Sequence, residues 1–150
     1  MSERTLILVK PDGVQRGLIG EIINRFEQRG LKIVGLKLVR ATEAILEKHY
    51  AEHYGKDFYP GLVAYIMSGP IVAMVLEGVN AIEASRVTIG ATKAHTAAAG
   101  TIRGDLALNV SNNLVHGSAN AADAAREVPI WFSDAELLEY GRAIDPWIAS

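Results

Sequence analysis

The chain has 150 residues, of which 49% are hydrophobic and 21% are charged, and its formal net charge at pH 7 is −2. These values are typical of one soluble globular domain with a substantial core, and they exclude a strongly basic nucleic-acid binder. The absence of cysteine excludes disulfides and thiolate metal sites. No apolar run is long enough to span a membrane and the first residues do not form a signal peptide, so we expect a cytoplasmic protein that binds no membrane.

The first part of the chain predicts a strand, a helix and a second strand. Residues 5–9 are apolar and end at a Pro-Asp-Gly turn, which indicates a strand. Between residues 19 and 29 the apolar side chains recur at helical spacing, and Gly30 is placed to end the helix. Residues 31–39 alternate as a strand, in which Gly35 shifts the phase as a β-bulge does.

Two helices and a third strand are predicted next. Thr42 is placed to cap a helix that runs to about His53, and a shorter helix follows Pro60. Residues 71–76 form a continuous apolar run, which indicates a buried strand.

The last predicted elements enclose a long segment without clear periodicity. Asn80 is placed to cap a helix that ends near residue 89. Residues 90–113 then show little periodicity, and such a segment in a compact domain is more often functional than idle. A short strand carries His116, and residues 120–127 indicate a helix. The order β-α-β-α-β-α-β predicts a small sheet with helices packed on it.

His116 is the candidate nucleophile. Two apolar residues lead into it, and Gly117 and Ser118 let the chain turn away, which leaves room for a large group to approach the ring. A neutral imidazole is nucleophilic near pH 7, although a histidine taken alone is more often a structural group. The residues around it therefore decide its role.

Three cations, two near the ends of predicted elements and one in the long segment, form a candidate phosphate clamp. Lys10 ends the first strand, Arg86 lies in the helix after Asn80, and Arg103 lies in the long segment. If they converge, their donors match phosphate oxygens; if they do not, each is an ordinary surface charge. Glu127, one helix after His116, either holds one imidazole nitrogen and frees the other to attack, or is a surface group.

His49, Glu52 and His53 match the H-x-x-E-H pattern of a class of zinc proteases. On one continuous helix this spacing places both imidazoles on the same face. The pattern offers no evident third ligand and the chain is short for such a protease, so we favour a solvated helix face. There is no Walker loop or Rossmann fingerprint, so any phosphate is bound in another way.

Four motifs in register resemble the nucleoside diphosphate kinase family. They are Lys10-Pro11-Asp12-Gly13-Val14-Gln15-Arg16-Gly17, Ser68-Gly69-Pro70, Gly100-Thr101-Ile102-Arg103-Gly104-Asp105 and Asn113-Leu114-Val115-His116-Gly117-Ser118. The resemblance covers about residues 5–147. It implies a ferredoxin-like βαββαβ sandwich of the α+β class, with an antiparallel sheet covered by helices and a long loop before the last strand. We expect a single domain over residues 1–150.

The resemblance also implies the reaction. In this family the γ-phosphate of a nucleoside triphosphate such as ATP passes to a nucleoside diphosphate by a ping-pong route through a phosphohistidine, which maintains the nucleotide pools. The transfer needs Mg²⁺, which is bound mainly through the nucleotide phosphates and not by protein ligands. The partners are nucleoside di- and triphosphates, including ATP and GTP, and no nucleic acid is required. The competing hypothesis is a non-catalytic, nucleotide-binding regulatory protein on the same fold, which would keep the phosphate clamp without needing His116.

Carried onto this chain, the resemblance assigns roles to individual residues. His116 is the nucleophile, Glu127 and Ser118 orient it, and Tyr50 lies beside it. The implied nucleotide-binding residues are Lys10, Arg86, Thr92 and Arg103 for the phosphates, Phe58 for stacking on the base, and Lys10 and Asn113 for the ribose hydroxyls.

Several positions depart from the family pattern. Ala119 stands where aspartate is usual, and Asp57, Ala94 and Ala99 stand where prolines are common. Because loop prolines restrict the unfolded chain, we expect these changes to affect loop stability and subunit packing more than activity. His95, in the same loop, is interpreted as a surface residue.

The resemblance further implies a homo-oligomer. The family forms hexamers or tetramers from a common dimer, and the tail, about residues 135–150, resembles that of hexameric members over Tyr140–Trp147. We therefore expect a hexamer rather than a tetramer, with the tail at a subunit interface.

Overall fold

An antiparallel sheet runs through the centre of the molecule. The structure, a computed structural model, describes residues 2–149. Its strands are β1 (Ser2–Val9), β2 (Lys32–Val39), β3 (Ile71–Val79) and β4 (Val115–Gly117). They lie in the order β2-β3-β1-β4, so the first strand is central and β2 is at an edge. The short β4 pairs with the end of β1, which places His116 opposite Leu8.

Helices cover the sheet on both faces. They are α1 (Pro11–Gln15), α2 (Ile19–Gln28), α3 (Glu43–His49), α4 (Tyr59–Ile66), α5 (Ala81–Ile89), α6 (Ile102–Leu106), α7 (Ala121–Trp131) and α8 (Asp145–Ile148). Short 3₁₀ turns lie at Ala51–His53, Ala94–Thr96 and Asp134–Glu136. Within residues 2–149, no helix is long and apolar enough to cross a bilayer.

The alternation of side chains along β1 supplies both cores. Ile7 and Val9 pack with α2 and α5 on one face of the sheet, and Leu6 and Leu8 pack with α3, α4 and α7 on the other. Because β1 is the inner strand and is covered on both faces, it reads as a continuous apolar run. The ferredoxin-like α+β sandwich expected from the resemblance is confirmed.

Most predicted elements are present, and β1 and β3 are longer than predicted, while three corrections concern helices. The helix predicted to run to His53 ends at His49 and gives way to a 3₁₀ turn. Pro11–Gln15, interpreted as a turn, is a short helix, and the helix predicted over 120–127 continues to Trp131.

The caps at Thr42 and Asn80 differ from each other. The Thr42 hydroxyl accepts a hydrogen bond from the Ile45 amide, as predicted. Asn80 precedes α5 but has φ +56°, and its side chain makes no cap. The carboxylate of Glu3 accepts from the Ile82 amide at 3.0 Å instead, so a neighbouring strand caps this helix. The local sequence around Asn80 gives no sign that Glu3 provides the cap in its place.

The predicted bulge at Gly35 is present. The register between β2 and β3 shifts between Ile33 and Gly35. A Cβ at Gly35 would lie 2.9 Å from a methyl of Leu137 and 3.0 Å from the Phe132 ring, so glycine is needed for close packing of the tail.

The C-terminal tail lies against β2 and the end of α2. The Leu138 amide donates to the Val34 carbonyl at 2.9 Å, and Arg142 donates to the Gly30 carbonyl at 3.0 Å. Trp147 in α8 remains 88% exposed.

Candidate active site

His116 is held by the carboxylate of Glu127, which lies on helix α7. Its Nε2 lies 2.9 Å from Oε1 of Glu127, and the Ser118 hydroxyl donates to the same oxygen at 2.9 Å. An ionised carboxylate only accepts hydrogen bonds, so the imidazole proton is on Nε2 and the Nδ1 lone pair is free. The Ser118 oxygen in turn accepts from the Leu6 amide at 3.2 Å, which ties the group to β1.

Helix α7 delivers Glu127 to this position. The Asn120 side chain caps α7 by accepting from the Asp123 amide, and Glu127 lies on the buried face of the helix with Trp131. Burial raises the pKa of Glu127, but the hydrogen bonds from His116 and Ser118 and the charge interactions with nearby imidazoles outweigh it. The pKa is therefore lowered, which favours the ionised carboxylate.

His49 packs against His116 and was not predicted as part of the site. Its ring centroid lies 4.8 Å from that of His116, edge to face, and its Nδ1 accepts a hydrogen bond from Trp131 Nε1 at 3.1 Å. Burial, followed by the repulsion of neighbouring positive groups, lowers the pKa of His49 to about 3. The prediction of a solvated face is wrong at His49, which is 2% exposed. The three-residue spacing from the buried Leu46 was the available signal.

The zinc-protease hypothesis fails on geometry and on protonation. His49 ends α3 and His53 lies in the following 3₁₀ turn, so the pattern is not carried on one helix. Ligand atoms of His49, His116 and Glu127 lie within 4.8 Å of one another. However, Trp131 occupies the Nδ1 lone pair of His49, and Glu127 accepts from His116 Nε2. The Nδ1 lone pair of His116 stays unengaged, but one free lone pair does not give the three protein ligands that a catalytic zinc ion needs.

Three predicted cations converge beside β4. Lys10 Nζ donates to Asn113 Oδ1 at 2.8 Å, and Arg86 donates to the Gly117 carbonyl at 3.2 Å. Burial, with repulsion from Arg103, lowers the pKa of Lys10 to about 8. Burial, with repulsion from Arg86, lowers the pKa of Arg103 to about 10. Arg103 is buried, Lys10 is half-buried and Arg86 is exposed, and cations that repel one another at such an opening form a site for an anion.

A strained turn connects these cations to His116. Leu114 has φ +75°, a left-handed conformation that is rare for a branched residue, and a hydrogen bond between its two neighbours closes a γ-turn around it. Asp12 accepts from the Leu114 amide at 3.1 Å, and the Lys10 amide donates to the Leu114 carbonyl at 2.8 Å. Arg103 donates to the carbonyls on both sides of Leu114. These bonds offset the strain and fix Asn113 and His116 relative to each other; sequence reasoning missed Asp12.

Phe58, the residue predicted to stack on the base, lies at the outer end of a series of neighbouring aromatic rings. This aromatic series leads through His53, Tyr50 and His49 to His116. Phe58, 54% exposed, has its ring 5.1 Å from His53, which lies 6.1 Å from Tyr50. The Tyr50 ring lies 4.5 Å from that of His49, which in turn contacts the ring of His116. Burial raises the pKa of Tyr50 above its ordinary value. Thr92 lies in the exposed loop after α5.

Comparison with known proteins identifies the family. The family model for nucleoside diphosphate kinase matches residues 3–137. The chain belongs to the nucleoside diphosphate kinase family. A nucleoside diphosphate kinase of Pelotomaculum thermopropionicum is 55% identical over 146 residues, covering 97% of this chain and 98% of that protein.

Solved structures of the nucleoside diphosphate kinase family match the fold. A halophilic nucleoside diphosphate kinase from Halobacterium salinarum in complex with CDP is 47% identical, with a TM-score of 0.96 and full coverage of both chains. A transition-state mimic of the enzyme from Borrelia burgdorferi, with bound vanadate and ADP, is 42% identical, with a TM-score of 0.88 and coverage of 95% of this chain and 94% of that one. The predicted family and phosphotransferase class are confirmed. Membership of this family implies nucleotide substrates and phosphotransfer that depends on a divalent metal.

Proposed function

We propose that this chain moves the γ-phosphate of a nucleoside triphosphate such as ATP to a nucleoside diphosphate through a phosphohistidine on His116. The observation that carries the proposal is the hydrogen bond between His116 Nε2 and Glu127, because it leaves Nδ1 with a free lone pair. Nδ1 attacks the γ-phosphorus, the bond from that phosphorus to the β-bridging oxygen breaks, and its electron pair leaves on the nucleoside diphosphate. A second nucleoside diphosphate then takes the phosphoryl group by the reverse step.

Glu127 and Ser118 orient the nucleophile and balance its charge. Phosphorylation at Nδ1 makes the imidazole positive while the proton stays on Nε2. The ionised Glu127 carboxylate, 2.9 Å from Nε2, stabilises that positive charge without any proton transfer. This arrangement supports a two-step route because the intermediate is stabilised as well as the transition state.

Lys10, Arg86, Arg103 and Thr92 are proposed to bind the phosphates. Burial, together with mutual repulsion, lowers the pKa values of Lys10 and Arg103, and a polyphosphate would relieve the repulsion. Arg103 donates three hydrogen bonds to backbone carbonyls, so about two of its roughly five N–H groups remain for a phosphate. Positioning and charge neutralisation are what phosphoryl transfer requires.

The proposed base site is a stacking surface. Phe58 is exposed at the outer end of the aromatic series and presents a ring on which any base can stack, which favours ATP, GTP and other nucleotides alike. Lys10 and Asn113, joined by a hydrogen bond, are proposed to contact the ribose hydroxyls, and Tyr50 packs behind His49.

Mg²⁺ is proposed to enter with the nucleotide. The donors around the site are cations and N–H groups, and the carboxylates of Asp12 and Glu127 are already hydrogen-bonded. These residues fit a metal carried by phosphate oxygens rather than by the protein. When bound there, Mg²⁺ would neutralise charge on the phosphates.

Incubation with γ-labelled ATP and no acceptor tests the proposal. We expect a labelled protein whose phosphate is labile in acid, stable in base and discharged by nucleoside diphosphates. His116→Ala should remain unlabelled. A wild type that binds nucleotide but takes no label would instead favour the non-catalytic regulatory protein.

We further propose one domain over residues 1–150 and a homo-oligomer, a hexamer rather than a tetramer, with residues 135–150 at a subunit interface. Exposed apolar side chains on the tail and on β2 support such a contact; they are Leu36, Leu38, Leu138, Ile144 and Trp147. Sedimentation would distinguish the two assemblies. The cytoplasmic location stays a prediction, which cell fractionation would test.

A further inference from the structure

His49 is buried between Trp131 and His116, and the transfer proposed above gives it no role. Its ring meets that of His116 at 4.8 Å with planes inclined by 76°, and it meets Trp131 at 5.6 Å with planes inclined by 80°. Both are edge-to-face contacts within the range that aromatic pairs favour. A polar ring in this position needs an account beyond core packing, since an apolar residue would fill the same space without a polar atom to satisfy.

Trp131 determines which nitrogen of His49 carries the proton. The indole N–H donates and never accepts, so the Nδ1 of His49 that it contacts must hold a lone pair. A neutral imidazole then has its proton on Nε2. Because burial lowers the pKa of His49 to about 3, the ring is uncharged near neutral pH and this tautomer is the one present.

The hydrogen bond to Glu127 cannot orient His116 completely. One hydrogen bond at Nε2 fixes that end of the ring but leaves the imidazole free to tilt about the bond, which moves Nδ1. The edge-to-face contact with His49 blocks that tilt. An uncharged neighbour also adds no repulsion to a ring that becomes positive when it is phosphorylated.

We propose that His49 is a positioning residue, held in one tautomer by Trp131, that sets the plane of His116 so that Nδ1 faces the γ-phosphate. This inference rests on the proposed phosphohistidine route. His49 contacts the rings of Tyr50, His116 and Trp131 and is not among the residues proposed to bind the nucleotide, so its loss should slow phosphorylation and leave nucleotide affinity unchanged.

Two substitutions separate the ring contact from the hydrogen bond. His49→Asn keeps an acceptor for Trp131 but removes the ring, whereas His49→Phe keeps the ring edge but leaves the indole N–H unpaired. We expect single-turnover phosphorylation by γ-labelled ATP to slow by about 100-fold in the Asn variant and by about 10-fold in the Phe variant. The dissociation constant of MgADP should stay within about twofold of wild type, because binding and orientation are separate contributions.

His95→Asn is the matched control, because His95 is an exposed histidine in the loop and should retain the wild-type rate. A purely structural hydrogen bond to Trp131 would give the reverse order, with the Asn variant faster than the Phe variant. That order, or a wild-type rate in the Asn variant, overturns the proposal.

Nitrogen-15 NMR of the imidazoles tests the tautomer in the wild-type protein, even if the variants fold poorly. We expect His49 to carry its proton on Nε2 at neutral pH and to stay uncharged down to about pH 5, well below an ordinary histidine. In Trp131→Phe both tautomers should appear. A proton on Nδ1 in the wild type, or titration near neutral pH, overturns the inference. If the wild type takes no phosphate label, the proposed function fails, and the NMR result still decides the tautomer independently.

Discussion

Replacement of Glu127 by glutamine probes the group on which the proposed chemistry depends most. The carboxylate is 4% exposed, accepts at Oε1 from His116 and Ser118, and has Oε2 3.5 Å from Arg126 Nη2. The amide of glutamine keeps the shape but loses the charge. Its NH₂ group must face either the Arg126 cation or His116.

The expected loss follows from these contacts. A hydrogen bond to a charged group contributes about 1.5–3 kcal/mol, and about 1.4 kcal/mol corresponds to a tenfold change in rate. Loss of the charge should therefore slow phosphorylation by about 10- to 150-fold. If the NH₂ group turns toward His116, the imidazole proton moves to Nδ1 and blocks attack, and the loss approaches the roughly 10⁴-fold seen when a catalytic histidine takes the wrong tautomer.

The assay is single-turnover phosphorylation with γ-labelled ATP, with folding of the variant checked by circular dichroism. Glu27→Gln, an exposed change on α2, is the control and should match wild type. A folded Glu127→Gln variant phosphorylated within about twofold of the wild-type rate would refute the argument, because even the weaker end of the charged hydrogen-bond range predicts a larger loss.

Three further predictions concern pH and nucleotide binding. His49 has an ordinary pKa of 6.5 when unfolded and about 3 when folded, so only the unfolded chain gains this proton between those values. The free energy of unfolding therefore keeps its full value above about pH 6.5 and falls by up to about 1.4 kcal/mol per pH unit below it. Urea unfolding at a series of pH values should show that this free energy depends less steeply on pH in His49→Asn than in the wild type. An unchanged pH dependence would contradict the assignment. Lys10 has a pKa of about 8, so nucleotide binding near pH 8 should take up protons and weaken as the pH rises through that value, measurable by calorimetry in two buffers; no proton uptake would exclude a close phosphate. Phe58→Ala should raise the KM for nucleotides by about 5- to 150-fold, from about 1–3 kcal/mol of stacking, and unchanged KM values would place the base elsewhere.

Local pattern predicted the order of elements because hydrophobic periodicity and turn residues act over a few neighbours. The apolar run at the start of β1, the bulge at Gly35 and the cap at Thr42 are all present. The cap expected from Asn80 was wrong because Glu3, distant in sequence, supplies the acceptor. No local rule contains that contact.

The candidate site was likewise predictable from the sequence only in part. The sequence alone determined the residue types needed for the chemistry. They are an imidazole on a short strand, a carboxylate one helix later, two cations near element ends and a third cation in the long segment, and the four motifs tied them to one family. Only the tertiary structure decided which nitrogen of His116 is free, because that depends on the 2.9 Å approach of Glu127 from α7. It also turned His49 from a supposed surface residue into a buried neighbour of His116. Protonation and burial are set by contacts between elements far apart in the chain, and such contacts leave little trace in local sequence.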